Sequence, residues 1–174
     1  GLGPVSQYMN LLRSEDTFKS LVSLSSPALG RKKFGEENFP SNHKWNKLNY
    51  QNGDINTSII KTYLGRTIMV QWDETSPRPY TRLNLIQGTK GILAGGPTRA
   101  AFDNGFENYS NDAEKWITGK GIEQLYEKFD HPLYKRLNSK TKYSGHGGMD
   151  GIMMYRIVEC LQNGLPLDQN VYEG

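Results

Sequence analysis

Two short segments of the sequence combine side chains that could do chemistry with residues that fix the backbone around them. The first is residues 76–82, which read Ser-Pro-Arg-Pro-Tyr-Thr-Arg. Two prolines spaced two apart favour an extended backbone, so Arg78 and Tyr80 would lose little freedom on binding a ligand. A tyrosine ring can stack on a sugar, and its hydroxyl can bond a sugar hydroxyl. From the residues alone, a rigid connector whose tyrosine covers the core fits equally well.

The second segment is residues 143–150, which read Tyr-Ser-Gly-His-Gly-Gly-Met-Asp. Its glycines allow close approach of the backbone, and the N-terminus of the helix that follows favours negative charge. His146 could donate, accept or transfer a proton near neutral pH. The residues alone favour a simpler interpretation, in which the glycines make a turn and His146 helps to cap the helix.

Other chemistries have less support in the sequence. His43, His131 and His146 lie far apart and lack the spacing of metal ligands, and neither a Gly-x-Gly-x-x-Gly turn after a strand nor a Walker loop is present. Cys160 is the single cysteine, so it forms no internal disulfide and does not indicate a compartment. A formal charge of +3, from 21 basic and 18 acidic residues, does not indicate nucleic-acid binding. We expect no resident metal, no nucleic-acid partner and no membrane span.

The hydrophobic pattern predicts an α+β fold with a mainly antiparallel, open-faced sheet and helices packed on one face. The other face would be covered by a second domain or another copy of the chain. The predicted helices are one near Pro4, a second from Ile122 to about His131–Pro132 and a third over 149–162. The predicted strands cover 17–25, 55–64, 66–75, 80–87, 91–94 and 98–102, and the clearest hairpin is 55–75. We expect irregular chain at residues 27–54 and 103–121. A loop as long as residues 27–54 is usually functional, packed over a surface or mobile.

The length of 174 residues suits one domain, which we assign to residues 1–174. The chain starts with Gly-Leu-Gly-Pro and no methionine, and a helical apolar stripe follows at once. We therefore expect this chain to be cut from a longer protein.

Several spaced motifs resemble one known family. They are the opening Gly-Leu-Gly-Pro-Val, Gly-Arg-Thr-Ile-Met-Val-Gln at 65–71, Ser-Pro-Arg-Pro-Tyr at 76–80, His-Gly-Gly-Met-Asp at 146–150 and Leu-Pro-Leu-Asp-Gln at 165–169. In this order, from Gly1 to about Tyr172, they resemble glycoside hydrolase family 109. That is the NAD-dependent α-N-acetylgalactosaminidase family, within the wider Gfo/Idh/MocA oxidoreductase superfamily. The resemblance implies a C-terminal substrate and oligomerisation domain of the Gfo/Idh/MocA type.

The resemblance also implies a reaction and a division of labour. NAD, held by an N-terminal Rossmann domain that is absent from this chain, would take a hydride from sugar C3 and later return it. The intervening elimination would expel the aglycone, and water would add. Tyr80 matches a family tyrosine that contacts substrate, and Arg78 and His146 are substrate-binding candidates by neighbourhood. Catalytic residues stay unassigned, and no cofactor contact is expected within this chain.

The implied partners are a carbohydrate substrate, the chain's own Rossmann domain and further copies bound through the open sheet face. Family members are often exported, so the resemblance leaves a periplasmic and a cytoplasmic location open. Two alternatives stand beside the glycosidase: a domain of a related NAD(P)-dependent sugar dehydrogenase with net redox, and a non-catalytic sugar-binding or assembly module.

Overall fold

The computed structural model describes residues 2–12, 15–109 and 111–173 and confirms the predicted α+β class with antiparallel strands. The chain divides into two compact units, residues 1–78 with 168–174 and residues 79–167. Each unit contains a three-stranded antiparallel sheet, whereas the sequence pattern led us to expect one sheet. The assignment of residues 1–174 to one C-terminal domain stays a prediction.

The first unit is built on the predicted hairpin. Its elements are α1 (Leu2–Tyr8), β1 (Phe18–Ser25), α2 (Gly30–Asn38), a 3-10 turn (Lys44–Lys47), β2 (Ile55–Thr62), β3 (Thr67–Asp73) and a 3-10 turn (Val171–Glu173). The strand order is β1-β2-β3, and Gly65 takes a φ of +84° in the tight turn between β2 and β3, as expected for glycine there. The strands at 17–25, 55–64 and 66–75 are therefore confirmed to within a few residues.

The core of this unit lies between one face of the sheet and α1. Ile60 and Ile68 are cross-strand partners, and both pack with Leu11 in a buried cluster. Successive residues of a strand point to opposite faces, so the alternation of apolar residues in β2 and β3 places these two on the same side.

A buried carboxylate fastens the hairpin turn to the start of β1. Asp16 Oδ1 accepts hydrogen bonds from the backbone amides of Thr17 and Leu64, at 2.9 and 3.0 Å. Burial raises the pKa of Asp16, but bonds from Thr62, Leu64 and Thr17 and the charge of Arg66 outweigh it and lower the pKa overall. Asp16 therefore stays ionised at neutral pH and holds the turn.

The opposite face of the first sheet carries a row of exposed apolar side chains. Val22, Ile59 and Met69 are opposite one another on neighbouring strands, and Leu24 lies on the same face. All four side chains are exposed. This is the open face that the sequence predicts; its use in self-association stays a prediction.

The second unit has a smaller sheet followed by helices. Its elements are β4 (Leu85–Gly88), β5 (Gly91–Ala94), β6 (Arg99–Phe102), α3 (Lys120–Phe129), α4 (Pro132–Thr141), a 3-10 turn (His146–Gly148) and α5 (Met149–Gln162). The strands pair antiparallel in the order β4-β5-β6. The buried cluster consists of Ala100, Ile117 and Ile122, so β6 and α3 share one core.

Two helices lie where the sequence analysis predicted irregular chain or a turn. Helix α2 carries few apolar residues and therefore shows no apolar stripe; its exposed face has Lys32–Glu36 and Lys33–Glu37 ion pairs one turn apart. The segment after His131 forms α4 and not a turn. His131 Nδ1 accepts from the backbone amide of Leu133 at 3.1 Å, an interaction that caps the helix.

The predicted strand at 80–87 is too long. The strand begins only at Leu85, because Leu83 has a φ of +45° that interrupts an extended backbone. It also belongs to the second sheet and not to the sheet of the hairpin. In the part of the chain that the structure describes, no helix is long and apolar enough to cross a membrane.

Candidate functional site

The predicted arginine–tyrosine segment is anchored where it leaves β3. Asp73 Oδ1 accepts from the backbone amide of Ser76 at 3.1 Å, and Asp73 Oδ2 accepts from Arg78 Nε at 3.0 Å. Burial raises the pKa of Asp73, but the bonds from Ser76 and Arg78 lower it overall. Arg78 Nη2 also donates to the Asp73 carbonyl at 3.4 Å, so Arg78 uses two N–H groups in this turn. The sequence analysis did not foresee this ion pair.

Tyr80 lies at the surface of the second unit with 84% of its area exposed. The Tyr80 ring therefore covers no core. This excludes the interpretation of the segment as a rigid connector whose tyrosine covers the core. The phenol oxygen accepts a hydrogen bond from Arg82 Nε at 2.9 Å. Because that bond uses a lone pair of the oxygen, the hydroxyl proton stays available for donation to an acceptor.

Arg82 is a partner that the sequence analysis missed. The signal was present in its spacing, because residues two apart on an extended backbone point to the same side. A guanidinium donor on the phenol oxygen orients the hydroxyl. The segment therefore exposes a phenol whose oxygen is bonded by Arg82 and whose hydroxyl can donate to a ligand at this surface.

His146 lies in the glycine turn that leads into α5. Its φ is +55°, and Gly147 and Gly148 follow at +67° and +101°. A side chain on Gly148 would meet the backbone of Thr141 at 3.2 Å, so both conformation and space require glycine there. The predicted turn is present, and Gly148 begins the helix without a side-chain cap.

The His146 ring contacts a carboxylate in the first turn of α5. Its Nδ1 lies 3.0 Å from both carboxylate oxygens of Asp150, and the side chain is largely exposed. A carboxylate on Nδ1 fixes the orientation of an imidazole and leaves Nε2 as the nitrogen for another partner. Among the described residues, the hydrogen bonds of Arg78, Tyr80 and His146 run to local partners and do not join these three to one another.

The first unit contains a cleft that the sequence analysis did not predict as a site. We call it the aromatic cleft; it has a volume of about 440 Å³ and is lined by Gly30, Arg31, Phe34, Trp45, Leu48, Tyr50 and Thr75. Its walls come from α2 and from the chain around the 3-10 turn, within the stretch expected to be irregular. The available signal was the density of aromatic residues in that stretch.

Asp54 holds one end of this cleft together. Its carboxylate accepts from the backbone amides of Leu29 and Gly30, with bonds of 2.9 to 3.1 Å, at the start of α2. A bond from the Thr75 side chain, followed by the Gly30 amide, lowers the pKa of Asp54. A carboxylate at a helix N-terminus satisfies amides that have no partner within the helix, so Asp54 ties α2 to the end of β3.

Neither a cluster of metal ligands nor a dinucleotide-binding unit is found among the described residues. In residues 2–12, 15–109 and 111–173, no group of three His, Cys, Asp or Glu could hold a metal ion. His43, like His131, accepts a backbone amide at the start of a helical turn. The named strands of both sheets pair antiparallel, whereas a dinucleotide-binding unit needs parallel strands joined by a glycine-rich turn and a helix. The named strands therefore do not form a dinucleotide-binding unit.

A family model for the C-terminal domain of glycosyl hydrolase 109 matches residues 1–174. The chain belongs to the glycosyl hydrolase 109 family. The resemblance that the spaced motifs carried is thereby confirmed over the whole chain.

Curated relatives agree with this family assignment. Glycosyl hydrolase family 109 protein 1 of Akkermansia muciniphila is 60% identical over 177 residues, which cover 100% of this chain and 36% of the relative. The alpha-N-acetylgalactosaminidase of Shewanella oneidensis is 53% identical over 175 residues, which cover 100% of this chain and 37% of the relative. The chain therefore spans a little over one third of the length of these relatives.

Proposed function

We propose that this chain is the substrate-facing C-terminal domain of a longer glycosidase that hydrolyses α-N-acetylgalactosaminides. The observation that carries the proposal is the family match over all 174 residues, together with the 53% identity to a relative named alpha-N-acetylgalactosaminidase. The exposed phenol of Tyr80 supports a role in binding, because a surface tyrosine with a free hydroxyl proton suits a sugar oxygen.

We further propose that NAD is held by a Rossmann domain outside this chain. The resemblance to the Gfo/Idh/MocA superfamily supports this proposal. When bound, NAD would supply reversible hydride transfer, so that the glycosidic bond breaks by elimination with no net redox change. The tasks left to residues of this chain are to bind and orient the sugar.

Each candidate residue has a defined task in this proposal. Tyr80 donates its hydroxyl proton to a sugar oxygen while Arg82 holds the phenol. His146, oriented by Asp150, offers Nε2 for a hydrogen bond or a proton transfer. Arg78 binds substrate through the N–H groups that are not bonded to Asp73. It therefore has fewer donors available for substrate than a free arginine has.

Product analysis of the full-length protein tests the proposal. We expect free N-acetylgalactosamine from a chromogenic α-N-acetylgalactosaminide with the total NADH unchanged. Accumulation of NADH would instead favour a sugar dehydrogenase. We expect no turnover by the 174-residue chain alone, with or without added NAD, and turnover by it would contradict the proposed division of labour.

We also propose that the full-length protein self-associates through the row of Val22, Ile59 and Met69. The support is the exposure of an apolar row on one sheet face, a feature typical of interaction surfaces. Met69→Lys should shift the protein toward monomers in sedimentation velocity, whereas Thr89→Lys, at an exposed polar position in the turn between β4 and β5, should not. An unchanged sedimentation profile for Met69→Lys would exclude this face.

A further inference from the structure

The turn between α4 and α5 has side chains where its backbone does not favour them. His146 has a φ of +55°, a conformation that glycine adopts at lower cost than a residue with a Cβ. Gly145, by contrast, has a φ of −54° and a ψ of 156°, which residues other than glycine adopt readily. The turn thus has an imidazole where the backbone favours glycine, and a glycine where the backbone would accept a side chain.

The space beside Gly145 is filled by the carboxylate of Asp150. A Cβ on Gly145 would collide with that carboxylate, so glycine is required there for space and not for conformation. The backbone amide of Asp150 also donates to the Gly145 carbonyl at 3.3 Å. The backbone bond and the close contact together fix where this carboxylate lies in the turn.

Ser144 fixes the other side of the same turn. Its hydroxyl donates to the Thr141 carbonyl at 2.8 Å and accepts from the Gly151 amide at 2.9 Å. These two bonds join the end of α4 to the first turn of α5. Because the backbone on both sides is tied down, the imidazole and the carboxylate are held in place before a ligand binds, which reduces the entropy lost on binding.

The contact between the two side chains decides which imidazole nitrogen carries the proton. His146 Nδ1 lies 3.0 Å from both carboxylate oxygens of Asp150. A carboxylate offers only acceptors, so the nitrogen that faces it must donate. In a neutral imidazole the other nitrogen, Nε2, then has a lone pair and accepts. The His146 side chain is 71% exposed, so a ligand can reach it.

We propose that Asp150 is a positioning residue that holds His146 with its proton on Nδ1, so that Nε2 accepts a hydrogen bond from a substrate hydroxyl. This inference rests on the proposed function and decides the direction of a hydrogen bond that the family match does not assign. The partner of Nε2 must carry a donor, which a sugar hydroxyl does and an ionised carboxylate or phosphate oxygen does not. His146 as acceptor and Tyr80 as donor then have complementary tasks.

Nitrogen-15 NMR of the full-length protein, labelled selectively at histidine, tests where the proton lies. At about pH 8, where an ordinary imidazole is neutral, His146 should show a protonated Nδ1 and an unprotonated Nε2. The His146→Gly variant identifies these signals by their loss. In Asp150→Asn, whose amide can donate to Nδ1, the fraction of protein with the proton on Nε2 should rise.

Three spectroscopic results would overturn the inference whatever the activity. They are an unprotonated Nδ1 in the wild type, protons on both nitrogens in the wild type, and the same proton distribution in Asp150→Asn as in the wild type. A carboxylate that only stabilised the start of α5 would leave the imidazole proton where it is, so the spectra separate positioning from a purely structural role.

The kinetic test is steady-state hydrolysis of a chromogenic α-N-acetylgalactosaminide by the full-length protein. Asp150→Asn should lower kcat/KM about tenfold, the effect expected when one hydrogen bond to substrate is lost. Glu123→Gln is the matched control, because it also removes a carboxylate from the first turn of a helix, α3, and it should leave kcat/KM unchanged. An unchanged kcat/KM for Asp150→Asn would overturn the inference while leaving the proposed function in place.

Two glycine substitutions test the geometry of the turn. Gly145→Ala should lower kcat/KM as Asp150→Asn does, because the new Cβ displaces the carboxylate. Gly88→Ala, whose Cβ would make only an ordinary contact of 3.8 Å, should not lower it. Asp150→Asn keeps the shape of the side chain and therefore decides the matter if Gly145→Ala does not fold.

His146→Gly separates an imidazole that binds substrate from one that only stabilises the turn. Glycine adopts the φ of this position freely, so the variant should keep its thermal stability and still lose at least as much kcat/KM as Asp150→Asn. An unchanged kcat/KM for His146→Gly would overturn the inference. Absence of hydrolysis by the wild type would overturn the proposed function, and the nitrogen spectra, which need no substrate, would still decide whether Asp150 positions the imidazole.

Discussion

Two connections between strands of this chain, residues 26–54 and residues 74–84, use aromatic side chains in opposite ways. In the first, Phe39 stacks on His43 with ring centroids 4.4 Å apart and packs against Trp45, so the connection builds its own wall. In the second, Asp73 anchors only the entry, and Tyr80 extends into solvent with Arg82 as its bonded neighbour. The first connection is a self-contained surface, whereas the second presents a single group that needs others to complete a site.

Of the substitutions that test this comparison, one at Tyr80 should have the largest effect on catalysis. Tyr80→Phe in the full-length enzyme should lower kcat/KM about tenfold or more, because it removes the hydroxyl proposed to donate to the sugar and leaves Arg82 without its acceptor. The measurement is steady-state hydrolysis of a chromogenic α-N-acetylgalactosaminide.

Tyr172→Phe is the matched control, because Tyr172 is 82% exposed, close to the 84% of Tyr80. Its kcat/KM should equal that of the wild type. Equal values for Tyr80→Phe and the wild type would remove Tyr80 from the site and leave the second connection without a binding role.

A smaller effect is expected at Asp54, which organises the first connection. Asp54→Ala should lower the hydrogen-exchange protection of the Leu29 and Gly30 amides about fivefold, because these amides lose their acceptor and α2 loosens from Thr75. Amide hydrogen exchange followed by NMR measures this protection. Hydrolysis of the chromogenic substrate should not change.

The same carboxylate predicts a pH dependence for the first connection. The pKa of Asp54 is lower in the folded chain than in the unfolded chain, so its stabilising contribution is complete above the unfolded value. It is lost as the pH falls through the folded value. Acid should therefore lower the protection of the Leu29 and Gly30 amides, measured relative to their intrinsic exchange rates, in the wild type more than in Asp54→Asn. Identical acid profiles would show that the Asp54 charge does not hold this region.

The strands of the first sheet could be predicted from the sequence because alternation in β2 and β3 and the turn at Gly65 are local signals. Helix α2 could not, since its position depends on a carboxylate 24 residues away, Asp54, which supplies the acceptor at its first turn. The division into two sheets also has no local signal, because pairing is decided between distant strands. The sequence shows that Asp73 is close to the proline segment. Its bond to Arg78 could not be predicted, because it depends on the conformation of the turn between the two residues.

The uncovered row of Val22, Ile59 and Met69 has a practical consequence for work with this chain in isolation. An exposed apolar row on a sheet with two free edge strands is a template for non-specific aggregation. We expect preparations of the 174 residues by themselves to bind hydrophobic dyes and to lose solubility on concentration.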